Sequence, residues 1–197
     1  MPKLTTPLIA AGTVSGTAQP VLSTVAGRTL RPPEDADAAF ILAAFADHEV
    51  SRWYARTIDD LAEARAWAER SRRRWREENG AVWTIEEAGG TPLGQAGLIR
   101  LDLGEGTAQF TAWTVAAARG RDVFADAARA VNRWALEDLG LERIECLHST
   151  ASPASCFGVT SAGFAFEGLL RSKARFADGR HDMHVHAVVR TEGEANG

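Results

Sequence analysis

The sequence is poor in cysteine: Cys146 and Cys156 are its only two thiols in 197 residues, and neither belongs to a Cys-x-x-Cys pair. Two thiols so placed exclude a disulfide framework and fit a reducing compartment. Tyrosine is scarcer still, with Tyr54 alone against six Trp and eight Phe. No apolar run approaches the roughly 20 residues that cross a bilayer. The first residues carry Lys3 as their one basic side chain and are broken by Pro2, Pro7, Gly12 and Gly16, so they read without a signal-peptide core. Membrane and secreted classes are thereby set aside, and a cytoplasmic location is expected. Positive charge is not in excess either, since 22 basic against 26 acidic side chains leave a formal charge of −4. Such a chain has no general pull toward polyanions, which argues against a dedicated nucleic-acid module but leaves room for a local basic patch.

What is present suffices for one domain. Apolar residues make up 45% of the sequence, and a chain of this length buries roughly 70% of its unfolded surface without metal or disulfide. Residues 1–26 mix Thr, Ala, Gly, Pro and Ser with no period and read as an extended N-terminal arm. The domain then covers residues 27–190, with 191–197 as a C-terminal tail. Residues 27–31 read as a strand stopped by Pro32 and Pro33, and residues 34–47 have helical spacing. A second helix is expected over 59–79, started by Thr57 with Asp60 three positions on and stopped by Gly80.

The period then changes. Strands are expected at 81–86, 93–103 and 107–115, joined through Gly89-Gly90 and Gly104-Glu105-Gly106. The strongest helical pattern spans 121–139 and ends at Gly140. A strand at 142–148 follows, then a short helix opened by Ser152-Pro153 and ended by Gly163. Runs at 164–176 and 182–189, across the turn Asp178-Gly179, close the domain. This order is neither regular alternation nor all-β, so the expected class is α+β with one central sheet.

The order and three local motifs resemble the GNAT acyltransferases, and within them the Rim-type branch that acetylates ribosomal-protein N-termini. The motifs are Trp113-Thr114-Val115 at a strand end, Ala118-Arg119-Gly120-Arg121 at a helix start, and Ser152-Pro153-Ala154-Ser155 leading to Ala162-Gly163-Phe164; the tail Phe176-Ala177-Asp178-Gly179-Arg180-His181-Asp182 is also similar. The resemblance covers residues 27–190. It implies a GNAT fold with a mixed, mostly antiparallel sheet, acetyl-CoA as donor, no metal, and direct transfer to the primary amine of a small molecule or a peptide N-terminus. A homodimer is a family-level expectation.

Physical chemistry explains the middle motif. A helix N-terminus has unpaired N–H groups and the positive end of the dipole, so a tight glycine loop running into it can hold a pyrophosphate. The resemblance places Trp113, Thr114, Val115, Arg119, Gly120, Arg121, Asp122, Val123, Phe124, Ser152 and Ser155 against the coenzyme. Two positions depart from the family pattern: Asp122 stands where a glycine belongs and Phe124 where a small residue belongs. The first sets a carboxylate, itself able to take the helix N-terminus, beside a dianion site; the second adds bulk. The loop thus reads as degenerate. An alternative follows, in which the protein binds a ligand or partner without catalysis, or draws on another donor such as aminoacyl-tRNA.

The family's thiolate-protonating Tyr maps to Val159, which cannot donate, and leaves Ser155 as the candidate for the thiolate. Gln109 occupies the strand where many members carry a Glu base, so His148, at the end of the next strand, is the candidate general base. Trp53, Tyr54 and Arg56 lie where the family shapes its acceptor pocket, and Trp83, Gln109 and His181 complete the candidate acceptor residues. His184 and His186 share a strand face with Asp182, but no Cys is near in sequence, so no metal is expected. Cys156 with His148 suggests a thiol nucleophile only weakly. The basic run of Arg65, Arg70, Arg72, Arg73, Arg74 and Arg76 reads as a solvated helix face, with tRNA binding as its functional version.

Overall fold

The computed structural model describes residues 6–190; the tail 191–197 and the first five residues of the arm lie outside them. In chain order the elements are β1 (Leu22–Ser23), β2 (Thr29–Arg31), a 3-10 turn (Asp35–Asp37), α1 (Ala38–Phe45), α2 (His48–Tyr54), α3 (Leu61–Arg76), β3 (Gly80–Glu86), β4 (Pro92–Asp102) and β5 (Thr107–Thr114). A 3-10 turn (Ala116–Ala118) leads into α4 (Val123–Arg133), which continues as a π-helical turn (Trp134–Asp138). Then come β6 (Arg143–Ser149), α5 (Pro153–Ser161), β7 (Ala165–Phe176) and β8 (Gly179–Val189). The class is α+β, with one eight-stranded sheet in the order β1-β2-β3-β4-β5-β6-β8-β7.

All pairings are antiparallel except β5 with β6. A parallel pair needs a crossover, and α4 supplies it. The apolar side of α4, with Val123, Ala127, Ala128 and Val131, packs with Val159 of α5 into the larger core over one sheet face. Helices α1 to α3 cover the other face, where Ile41, Phe45, Ala64 and Ala68 gather around Trp113. The arm is tied down: Glu78, in a left-handed conformation just past α3 (φ 53°), accepts hydrogen bonds from the amides of Gly12, Val14 and Ser15.

Several local expectations shift. The helix expected over 34–47 becomes a 3-10 turn and α1, and a further helix, α2, follows at once because the Asp47 side chain caps it by accepting from the Glu49 amide at 2.9 Å. Helix α3 is capped by Asp60, which accepts from Glu63 N at 2.8 Å, rather than by Thr57. Gly80 does not end α3; it begins β3, where a Cβ would lie 2.5 Å from the Leu98 carbonyl oxygen.

Strands β5 and β6 pair only over Thr107–Phe110 and Arg143–Cys146. Beyond that point β5 runs on to Thr114 and β6 to Ser149 with no register between them. The sheet therefore splits at its middle into a V-shaped cleft.

Candidate active site

The cleft is walled by Gln109 to Ala112 of β5 and by Cys146 to Ser149 of β6. Phe124, Ser152, Ser155 and Val159 close it from the α4–α5 side, and Trp53, Tyr54 and Phe176 close it from the other. Of the candidate acceptor residues, Trp53, Tyr54, Gln109 and His181 meet here: the Trp53 ring lies 5.8 Å from Phe176 and 6.2 Å from His181. Two others do not. Trp83 is fully buried, because every neighbour along β3 is buried as well; it packs 5.1 Å from Trp134 and donates to the Pro20 carbonyl at 2.7 Å. Arg56 is exposed, with its guanidinium 5.9 Å from the Trp67 ring.

Along one wall, three side chains form a chain of hydrogen bonds. The buried Ser149 Oγ lies 2.7 Å from His181 Nδ1, and His181 Nε2 lies 2.9 Å from Asp178 Oδ1. An ionised Asp178 requires the proton on Nε2, which makes Nδ1 of the neutral ring an acceptor for the Ser149 hydroxyl. Ser149 Oγ in turn accepts from the Ala151 amide at 3.0 Å. Desolvation works against the Asp178 carboxylate, but Arg52, donating at 2.8 Å, and His181 outweigh it and hold its pKa below the ordinary value. Sequence reasoning placed His181 in the cleft but missed Ser149 and Asp178. Their signal was the Asp178 to Asp182 tail motif, although the register that brings it to Ser149 was not readable.

His148 is buried among other groups. Its Nδ1 donates to the Ser149 carbonyl at 3.0 Å, and its Nε2 lies 3.2 Å from His186 Nε2, so both ring nitrogens are engaged. Burial, then the neighbouring histidines, lowers its pKa. This geometry suits a base less well than that of His181.

The loop ahead of α4 has the expected turn in altered form. Gly120 (φ 72°) and Asp122 (φ 55°) are both left-handed, so Asp122 adopts the conformation of the glycine it replaces, which Asp tolerates better than most residues. Asp122 makes no capping bond to α4; its carboxylate accepts from Arg129 at 2.6 Å instead. The helix N-terminus is thus left uncapped rather than filled. Arg119 pairs with Asp47 and Arg121 with Glu87, both at exposed positions where ion pairs are weak and exchangeable. Phe124 turns toward α5 and packs on Phe110 (5.7 Å) and against Gly158, where even a Cβ would come within 2.9 Å of its ring.

At the end of β5, the Val115 amide donates to the Leu93 carbonyl at 2.9 Å and is not free for an oxyanion. Alternation along the strand then turns the amides of Ala112 and Thr114 toward the open side of the split. Trp113 packs against Phe40 and Phe45 in the smaller core. Above α5, Ser152 does not cap its helix; its Oγ lies 2.8 Å from Ser155 Oγ.

A second cavity lies between α3 and the sheet, lined by Trp67, Arg70, Arg74, Gln95 and Trp113. Tyr54 and Thr111, whose oxygens lie 2.7 Å apart, border both cavities. Burial drives the Tyr54 hydroxyl pKa upward. Half of the basic run is neutralised: Arg72 pairs with Asp35 and Glu69, Arg73 with Glu77, and Arg76 with Glu69. Among the described residues, Arg56 and Arg70 form no ion pair and flank the Trp67 ring at 5.9 and 5.7 Å. No helix among the described residues is long and apolar enough to cross a membrane.

Known structures share this fold. RimJ from Mycobacterium smegmatis, solved with CoA-disulfide, is 22% identical and superposes with a TM-score of 0.78 over 86% of each chain. RimL, a ribosomal L7/L12 alpha-N-protein acetyltransferase solved with coenzyme A, is 12% identical with a TM-score of 0.77, over 86% of this chain and 98% of its own. The microcin C7 self-immunity acetyltransferase MccE, solved with acetyl-CoA and AMP, is 16% identical with a TM-score of 0.73, over 82% and 92%. No curated protein sequence matches the chain. The profile of the acetyltransferase (GNAT) domain, however, matches residues 28–165, which together with the split sheet means that this chain belongs to the GNAT acetyltransferase family.

Proposed function

We propose that the protein is an acetyl-CoA-dependent N-acyltransferase of the Rim-type branch, acting in the cytoplasm on the primary amine of a small molecule or a peptide N-terminus. The observation that carries this reading is the Asp178, His181 and Ser149 chain on the wall of the split between β5 and β6. The donor's phosphates meet the uncapped start of α4 with Arg119 and Arg121, and its thioester lies in the split. The acceptor amine enters between Trp53 and Tyr54. Its proton passes to Ser149 Oγ as the Ser149 proton passes to His181 Nδ1, so the base acts at full reach without facing bulk water. The neutral nitrogen then attacks the thioester carbonyl, and the Ala112 and Thr114 amides receive the oxyanion. As the C–S bond breaks, the second proton of the attacking nitrogen passes to the leaving sulfur through the Ser155 hydroxyl, which its Ser152 partner orients, so that the amide and the free thiol of coenzyme A leave the site.

The unpaired Arg70 beside Trp67 and Trp113 favours an acceptor that carries an anionic group near its amine. Calorimetric titration with acetyl-CoA, followed by turnover of an acidic peptide with a free N-terminus, tests the reading. Binding followed by N-terminal acetylation is expected; no binding at millimolar acetyl-CoA would overturn it. Asp122 and Phe124 favour the second reading, a GNAT-fold protein without coenzyme A use, which that same negative result would select.

A further inference from the structure

Strands β6 and β8 run antiparallel with His148 opposite His184 and Cys146 opposite His186. Residues in register, or two apart on one strand, share a sheet face, so His148, His184 and His186 form a triangle on the face that α5 covers. Helix α5 brings Cys156 over that triangle. One donor atom from each of the four side chains lies within 4.8 Å of the other three. The separation of 3.2 Å between the Nε2 atoms of His148 and His186 matches the edge of a zinc tetrahedron, about 3.3 Å for bonds of about 2.0–2.1 Å.

As hydrogen-bonding groups these side chains are poorly satisfied. Nδ1 of His184 and Nδ1 of His186 are buried without a partner, and His186 is only 2% exposed. Two imidazole nitrogens 3.2 Å apart share at most one proton, and the third ring adds a further unmet group. A buried unpaired nitrogen is costly, and a cation takes one lone pair from each ring, which resolves the close approach of the His148 and His186 Nε2 atoms; His186 Nδ1 then carries the ring proton and is not a ligand. The second sphere is also in place. His148 Nδ1 donates to the Ser149 carbonyl at 3.0 Å, a bond of the kind that fixes the tautomer of a metal-binding ring.

We propose that His148, His184, His186 and Cys156 bind one zinc ion per chain. The Cys156 thiol gives its proton to solvent as the sulfur–metal bond forms, and the imidazoles enter as neutral lone-pair donors. Four protein ligands fill a tetrahedron and leave no open position, so the site is structural. It pins α5 to β6 and β8 and so fixes Ser152 and Ser155 relative to Ser149. The ligand set was hidden in the sequence because it divides into two pairs, His148 with Cys156 and His184 with His186, that only the β6–β8 register joins.

The test is metal binding by untagged, demetallated protein, and it is independent of acyl transfer. Titration with cobalt(II) should give one equivalent per chain, with the intense visible bands of tetrahedral cobalt and a thiolate-to-cobalt charge-transfer band; zinc should displace it. Cys156→Ser should abolish the charge-transfer band and weaken zinc binding by about a hundredfold or more, since losing even an outer-sphere partner costs 10–100-fold. His184→Gln should weaken binding similarly. Cys146→Ala, which removes the other thiol, should keep the band. Circular dichroism separates loss of metal from loss of fold. Absence of a one-to-one complex, a complex without the thiolate band, or a band that survives in Cys156→Ser overturns the proposal.

Discussion

Arg28 Nη1 meets Asp126 Oδ2 at 2.9 Å beneath the loop that leads into α4, with both side chains almost wholly enclosed. The same guanidinium donates to the Arg121 carbonyl at 3.1 Å, so the loop is held from below by a charge that β2 positions. Breaking a buried pair costs about 3–5 kcal/mol, and Glu87, whose Oε1 lies 3.4 Å from Arg28 Nε, keeps the loss here toward the lower end. Asp126→Ala should therefore lower unfolding stability by about that amount in urea melts, while Arg28→Met with Asp126→Leu should recover most of it. A single-variant loss under about 1 kcal/mol would mean that the pair is solvated.

The left-handed backbone of Asp122 sets a second expectation. Glycine suits φ 55° and alanine does not, so Asp122→Gly should leave the melting temperature nearly unchanged while Asp122→Ala lowers it. Removing the carboxylate also frees Arg129 and takes a like charge from the pyrophosphate position. A charge at a helix N-terminus is worth about 0.3–1 kcal/mol, so Asp122→Gly should tighten acetyl-CoA about two- to fivefold at low salt, and less at high salt. Adding Phe124→Ala should tighten it further; unchanged calorimetric affinity in the double variant would show that the phosphates bind elsewhere.

If His181 takes the acceptor's proton through Ser149, then His181→Gln and Ser149→Ala should each cut kcat by about 10²–10⁴-fold with little change in KM. Asp178→Asn keeps the size but favours the tautomer with its proton on Nδ1, which cannot accept from Ser149, so it should lose a comparable amount. Equal losses in kcat and acetyl-CoA affinity would instead assign the chain to holding the cleft shut.

The fold was readable because its elements carry clear periods: the alternation of β5 and the apolar side of α4 both survive from sequence to structure. Helix α2 was missed because it is only seven residues long and follows α1 after Ala46 and its own cap Asp47 alone, with no turn signal between them. Trp83 was taken for a cleft wall because a strand buried on both faces has no period to show which way a ring points. The site was half legible. Motif positions located the loop, Ser155 and His181, but Ser149 meets His181 across 32 residues through β6–β8 register, and register is a property of the assembled sheet.

Arg70 offers a test of acceptor choice. Burial, then repulsion from Arg56, Arg73 and Arg74, lowers its pKa, so the second cavity holds positive charge that no carboxylate among the described residues neutralises in an ion pair. Arg70→Glu should raise KM for an acidic peptide about tenfold or more and leave KM for a neutral peptide within about twofold, as a reversed charge close to an anion is worth more than about 1 kcal/mol. The same shift for both peptides would place the acceptor elsewhere.

Asp37 predicts how stability depends on pH. It is 4% exposed, and that burial raises its pKa; Arg31 at 2.7 Å, the Glu34 amide at 2.9 Å and the Thr84 hydroxyl at 2.9 Å together outweigh burial and lower the value overall. A carboxylate whose folded pKa is depressed adds stability that is fully present above its unfolded value of about 3.9 and is lost as pH falls through the folded value. Asp37→Asn keeps the size and one acceptor oxygen but loses the charge that Arg31 meets, so at pH 7 it should cost about 1.5–3 kcal/mol, the range for a hydrogen bond to a charged group. The gap between wild type and variant in urea midpoint should then close progressively below about pH 4. A gap that stays constant from pH 7 to pH 3 would mean that Asp37 titrates alike in the folded and unfolded chains, so that Arg31, Glu34 and Thr84 do not favour its charged form.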